Sequence, residues 1–131
     1  MSGSENKELI RRLYAEVGRG NAQPFLDALA DDLRWTLIGS TKYSGTFEGK
    51  QAVLDRLLMP ALGQLEGPLA IEPENFIAEG DLVVMQAKGK ARTKSGKRYD
   101  NTYCYVFRIV NGKIQEITEY CDTEVIRRAL D

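Results

Sequence analysis

The spacing of apolar positions changes about halfway along the chain. In the first half Leu9, Ile10, Leu13, Tyr14 and Val17 recur at helical spacing and predict an amphipathic helix closed by Gly18 and Gly20. Asn21 then reads as the cap of a short second helix bearing Phe25, Leu26 and Leu29. Pro24 falls in its first turn, where a missing N–H does no harm. Residues 33–38 alternate apolar with polar and predict a strand; residues 39–49 read as a loop. A third helix carries Val53, Leu54, Leu57 and Leu58, and Pro60 is expected to kink or end it.

From Leu69 onward the period is that of strands. Residues 69–79 and 82–92 flank a turn at Gly80-Asp81, and residues 98–110 follow a loop containing Lys94-Ser95-Gly96. Asn111-Gly112 is the strongest hairpin signal in the chain, with residues 113–122 returning and 123–130 forming a last helix. Helices, a strand, a helix and then a meander of strands predict one α+β domain over residues 1–131 with a mostly antiparallel sheet.

Composition narrows the chemistry mainly by what is missing. The 131 residues include no histidine, which excludes Ser-His-Asp and Cys-His nucleophilic sites and histidine-ligated metals. The two cysteines, Cys104 and Cys121, cannot build a four-cysteine site and read as packed, reduced thiols. No metal or cofactor is expected. A general base must be Asp, Glu, Tyr, Lys or Cys, tuned by burial. A net charge of −1 with dispersed Lys and Arg gives no nucleic-acid footprint. No apolar run has membrane-span length, and the polar start lacks a secretory pattern. The expectation is a cytoplasmic protein with no nucleic-acid or membrane partner.

Four stretches carry a family resemblance: residues 29–35, Gly45-Thr46-Phe47-Glu48-Gly49, residues 103–108, and Asn111-Gly112-Lys113-Ile114 leading to Glu119-Tyr120-Cys121-Asp122-Thr123. In that order they resemble the SnoaL-like family, related to ketosteroid isomerase within the nuclear-transport-factor-2-like superfamily. The resemblance implies a cystatin-like cone, with N-terminal helices packed on a strongly curved, mixed and mostly antiparallel sheet around a pocket. Relatives include isomerases, epoxide hydrolases, polyketide cyclases and non-catalytic modules, so the fold does not choose the function.

Placing Arg92 opposite Tyr99 sets Lys88 against Tyr103 and Gln86 against Tyr105, on one face. The small residues Val83, Met85, Ala87, Gly89 and Ala91 then share the other. Either face could meet the helices. Because relatives line the cone with aromatic and polar groups, the tyrosine face is expected inside, and the small-residue face is expected to make a homodimer contact. Strict alternation from Asn111-Gly112 puts Ile117 and Glu119 on the wrong face, and a one-residue bulge near Gln115-Glu116 would restore them.

The resemblance to known mechanisms is partial. Tyr14 resembles the oxyanion tyrosine of ketosteroid isomerase. That enzyme's base position falls near Leu37, which accepts no proton, and its acidic donor falls near Tyr103 or Tyr105. The Arg-x-Asp pair of epoxide hydrolases falls on Gln86-Ala87-Lys88. What remains is Glu119 as candidate base, Tyr14 and Tyr103 as candidate donors, and Trp35, Leu37, Gln86, Lys88, Asn101, Tyr105, Phe107 and Ile117 as ligand-binding wall. A Lys88–Glu119 pair would lower the carboxylate's pKa and weaken it as a base. Three readings stay open: an isomerase, cyclase or hydratase acting on an apolar oxygenated molecule, a non-catalytic binding module, and a dimerising accessory domain.

Overall fold

A computed structural model describes residues 2–131. Helix α1 (Gly3–Gly18) starts at Ser2, whose hydroxyl accepts from the Glu5 N–H while the Glu5 carboxylate accepts from the Ser2 N–H. Helix α2 (Gln23–Ala28) is shorter than expected. Leu29 opens strand β1 (Leu29–Leu37) instead of closing the helix, and Asn21 donates to Glu16 Oε2 rather than capping. The loop expected over 39–49 contains a short strand, β2 (Gly45–Glu48).

Helix α3 (Lys50–Val53) passes through a π-helical turn, Leu54–Leu58, into α4 (Met59–Leu62). Pro60 therefore does not end the helix. The Met59 N–H reaches back to the Leu54 carbonyl, and this widened turn lies where the proline ring would meet the preceding backbone.

Strands β3 (Ala70–Glu79), β4 (Leu82–Arg92), β5 (Arg98–Val110) and β6 (Lys113–Cys121) complete a six-stranded sheet of order β2-β1-β6-β5-β4-β3, and helix α5 (Thr123–Leu130) follows. Only β1 and β6 run parallel. The expected mixed, mostly antiparallel α+β sheet is what forms. The β5–β6 hairpin closes on Asn111 (φ 51°) and Gly112 (φ 77°), the left-handed pair that matches strand twist. Helix α1 packs on β3 and β4, and α5 on β5.

The register between β4 and β5 differs from the expected one by a single residue, and the consequence is large. Arg92 pairs with Arg98, Ala91 with Tyr99, Ala87 with Tyr103 and Met85 with Tyr105. The turn closes on Thr93 and Lys97 with three residues between them, where the expected register leaves two between Lys94 and Lys97. Thr93 decides this: its buried Oγ1 accepts from the Lys97 N–H at 3.0 Å, and Gly96 sits at φ 91°. A one-residue slip moves every β4 side chain to the other face. The tyrosines are inside, as expected, but their neighbours are Val83, Met85, Ala87 and Ala91, all core residues. The strip expected to form a dimer contact is therefore not on the outer face.

Gly89 belongs to the same strip, and its missing side chain makes room for an aromatic ring. A Cβ there would stand 2.5 Å from the Tyr103 ring and 3.3 Å from Leu69 Cδ1. Gly89→Ala is expected to destabilise the protein by about 1–3 kcal/mol in urea unfolding. The outward-facing Lys88→Ala is expected to change stability by less than about 0.5 kcal/mol.

The bulge needed on β6 is present. Arg108 pairs with Glu116 but Ile109 pairs with Ile114, which leaves Gln115 unpaired. Its amide donates to Asp32 Oδ1 at 2.7 Å, tying the bulge to β1. Beyond it Ile117 faces Phe107 and Glu119 faces Tyr105, on the inner side.

Candidate functional site

A cavity of about 280 Å³ opens between the sheet and the helices. For scale, a cavity of about 150 Å³ takes benzene, so this one suits a body of roughly two fused rings. Of the residues named from the sequence, Tyr14, Trp35, Leu37, Tyr103, Tyr105 and Glu119 line it. The rest of its wall is mainly apolar and comes from α1, α2, the π-helical turn, α4, α5, the loop over residues 63–69 and the start of β3. Leu57, Leu65, Leu69 and Ile126 are examples that sequence reasoning missed.

Glu119 is the acidic group in this wall, and no lysine or arginine joins it among the described residues. Its Oε1 accepts from Trp35 Nε1–H at 3.0 Å. Trp35 itself is packed edge-on against Phe25, with ring centroids 6.4 Å apart. Burial pushes the Glu119 pKa up from 4.5 to about 7 and outweighs the Trp35 hydrogen bond, which lowers it. Such a carboxyl is part ionised and part protonated at neutral pH, the range in which one group can take and return a proton.

Aromatic side chains form the wall beside it. Tyr103 stacks on Tyr105 (5.2 Å, 20°) and Tyr105 on Phe107 (5.9 Å, 21°), while Tyr14 meets Phe25 edge-on at 5.4 Å. Burial raises the pKa of Tyr14, Tyr103 and Tyr105 well above the phenol range, so all three remain donors at neutral pH. The Tyr14 and Tyr105 hydroxyls have no partner among the described residues, and neither is sealed in the core. They face the cavity. Burial also raises the Cys121 thiol to about 12, which argues against a reactive thiolate.

Five expected wall residues lie elsewhere. Gln86 and Lys88 point outward because of the β4 register: Gln86 accepts from Asn75 (3.1 Å) and Lys88 donates to Thr102 Oγ1 (3.1 Å). No Lys88–Glu119 pair forms, so nothing cationic restrains the raised pKa. Phe107 and Ile117 are fully buried behind the wall and support it. Asn101 is buried, and its Oδ1 is spent on backbone, accepting from the N–H groups of Thr102 (2.8 Å) and Asp122 (3.0 Å). In its place Tyr99 lines the cavity. The only sequence signal for Tyr99 was its position on the same β5 face.

With this geometry established, the relationships are plain. The chain belongs to the SnoaL-like domain family, which matches residues 10–117. It is similar to an NTF2-like protein from Burkholderia xenovorans LB400, with 26% identity, a TM-score of 0.76, and coverage of 100% of this chain and 99% of the other. The fold also matches that of TerC co-crystallised with polyporic acid, at 21% identity and a TM-score of 0.79, covering 94% and 95% of the two chains. In sequence it is 21% identical over 120 residues to the uncharacterised protein Rv0034 of Mycobacterium tuberculosis, covering 92% of this chain and 91% of that one. No helix among the described residues is long and apolar enough to cross a membrane.

Proposed function

We propose that this protein is a cofactor-independent enzyme that moves a proton on an apolar, oxygenated small molecule, with Glu119 as the base. The observation that carries this is the setting of Glu119: an apolar cavity, one hydrogen bond from Trp35, and no cation among the described residues. A buried charge is ordinarily paired, and none of the residues lining this site is a cation. TerC, of the same fold, was co-crystallised with polyporic acid, which supports a cavity that takes a ligand.

In the proposed step the Glu119 carboxylate takes a proton from the carbon next to a carbonyl. The C–H electron pair becomes the enolate C=C and the carbonyl π pair moves onto oxygen. The Glu119 acid then returns the proton to a carbon of the enolate, and both groups regain their starting charge. Apolar contact with the ligand's carbon skeleton supplies most of the affinity.

The test is solvent exchange. With 1-tetralone in D₂O near pH 8, the protein is expected to exchange the protons next to the carbonyl faster than buffer does, as followed by proton NMR. Binding without exchange across a panel of ketones, epoxides and enols would replace the enzyme with a non-catalytic binding module.

A further inference from the structure

The orientation of one buried amide determines which way a chain of hydroxyls points. The Oδ1 of Asn101 accepts from two backbone N–H groups, and a backbone N–H only donates. Asn101 Nδ2 must therefore be the end that faces the Asp122 carbonyl (3.2 Å) and the Tyr99 hydroxyl (3.4 Å). The Tyr99 oxygen also accepts from the Tyr103 hydroxyl at 3.0 Å. Both neighbours donate to this oxygen, so neither takes its proton. Its own O–H is left without an acceptor among the described residues, on a residue that lines the cavity.

We propose that the Tyr99 hydroxyl is the ligand-oxygen subsite of the cavity, donating to the carbonyl of a neutral ketone and to the enolate oxygen formed from it, with Asn101 and Tyr103 as positioning residues. The inference rests on reading the cavity as a proton-transfer site and names the class of group it recognises there. A hydroxyl that accepts two hydrogen bonds is a stronger donor than an isolated one. It is also fixed in direction, whereas the Tyr14 and Tyr105 hydroxyls have no protein partner to aim them. Burial pushes the Tyr99 pKa up to about 12, against the pull of the Tyr103 and Asn101 bonds, so the proton is present at neutral pH. A donor already aimed at the oxygen favours the charge that develops there. A ligand whose only polar group is a donor cannot use this subsite.

The probes are 1-tetralone, whose carbonyl can only accept, and tetralin, the same skeleton without oxygen. In the wild-type protein the carbonyl stretch of bound tetralone is expected below its value in an alkane solvent. In Tyr99→Phe the stretch should return toward the alkane value and tetralone should bind about fivefold to tenfold more weakly. Tetralin affinity should change less than about twofold. Tyr103→Phe keeps the Tyr99 donor and removes one of its supports. It should move the stretch part of the way, and it carries the test should Tyr99→Phe fail to fold. A stretch unchanged in both variants but lost in Tyr14→Phe or Tyr105→Phe would overturn the subsite and leave the Glu119 reading standing. Wild-type tetralone with an alkane-like stretch would overturn the subsite outright. Exchange lost in Glu119→Gln with the stretch intact would uphold the subsite and the base separately.

Discussion

Glu119→Gln is expected to slow ketone proton exchange about a thousandfold, within the range that positioned general bases contribute. Tetralone affinity should change less than about threefold. The amide keeps the shape of the side chain, and its oxygen can still accept from Trp35 Nε1–H, the 3.0 Å bond that holds the carboxylate. What it loses is the ability to take a proton. The wild-type rate should rise with pH and level off above about 7, because only the carboxylate is a base and its pKa lies there. An unchanged rate in the variant would remove Glu119 from the chemistry. A rate lost together with ligand affinity would mean that the residue shapes the cavity instead.

The second large effect is on stability, and it requires no substrate. Burial raises the pKa of Glu119 from 4.5 to about 7 in the folded protein. Below 4.5 the group is protonated in both states and costs nothing. Between 4.5 and 7 the unfolded chain releases a proton that the folded protein keeps, so the unfolded state gains and stability falls with rising pH. Above 7 the loss is complete, at about 3 kcal/mol. No histidine titrates in this window. Urea unfolding at pH 5 and pH 8 should show the drop in the wild type and little of it in Glu119→Gln, which becomes the more stable of the two at pH 8.

Much of this architecture was legible in local signals. The helical spacing from Leu9 to Val17, the left-handed pair Asn111-Gly112 and the alternation of β5 each act within a few residues, so each predicts its element. The bulge at Gln115 was legible by parity: Ile109 and Ile114 must pair across the turn, and Glu119 can face the pocket only if one residue is skipped. The β4 register was not legible in the same way. It depends on whether the turn closes on Thr93 or on Lys94, and Thr93 closes it with backbone bonds to Lys97 and Gly96 and with its Oγ1 accepting from the Lys97 N–H. In that register Lys88 points outward, away from Glu119. Tyr99 was missed for a related reason. Its role comes from the direction of hydrogen bonds around Asn101, and those depend on the approach of β5 to Asp122, which no spacing rule encodes. Leu57 and Leu58 were read only as the apolar face of a helix, since lining a cavity and filling a core require the same apolar face.

The protonation of Glu119 bears most directly on the central claim. Carbon-13 NMR of the Glu119 carboxyl, assigned by comparison with Glu119→Gln, follows its titration in the folded protein. A midpoint near pH 7 is expected for a carboxyl desolvated in the cavity with only Trp35 as partner. A midpoint near 4.5 would mean that water or a counter-charge solvates it, and would contradict its role as a base tuned by burial.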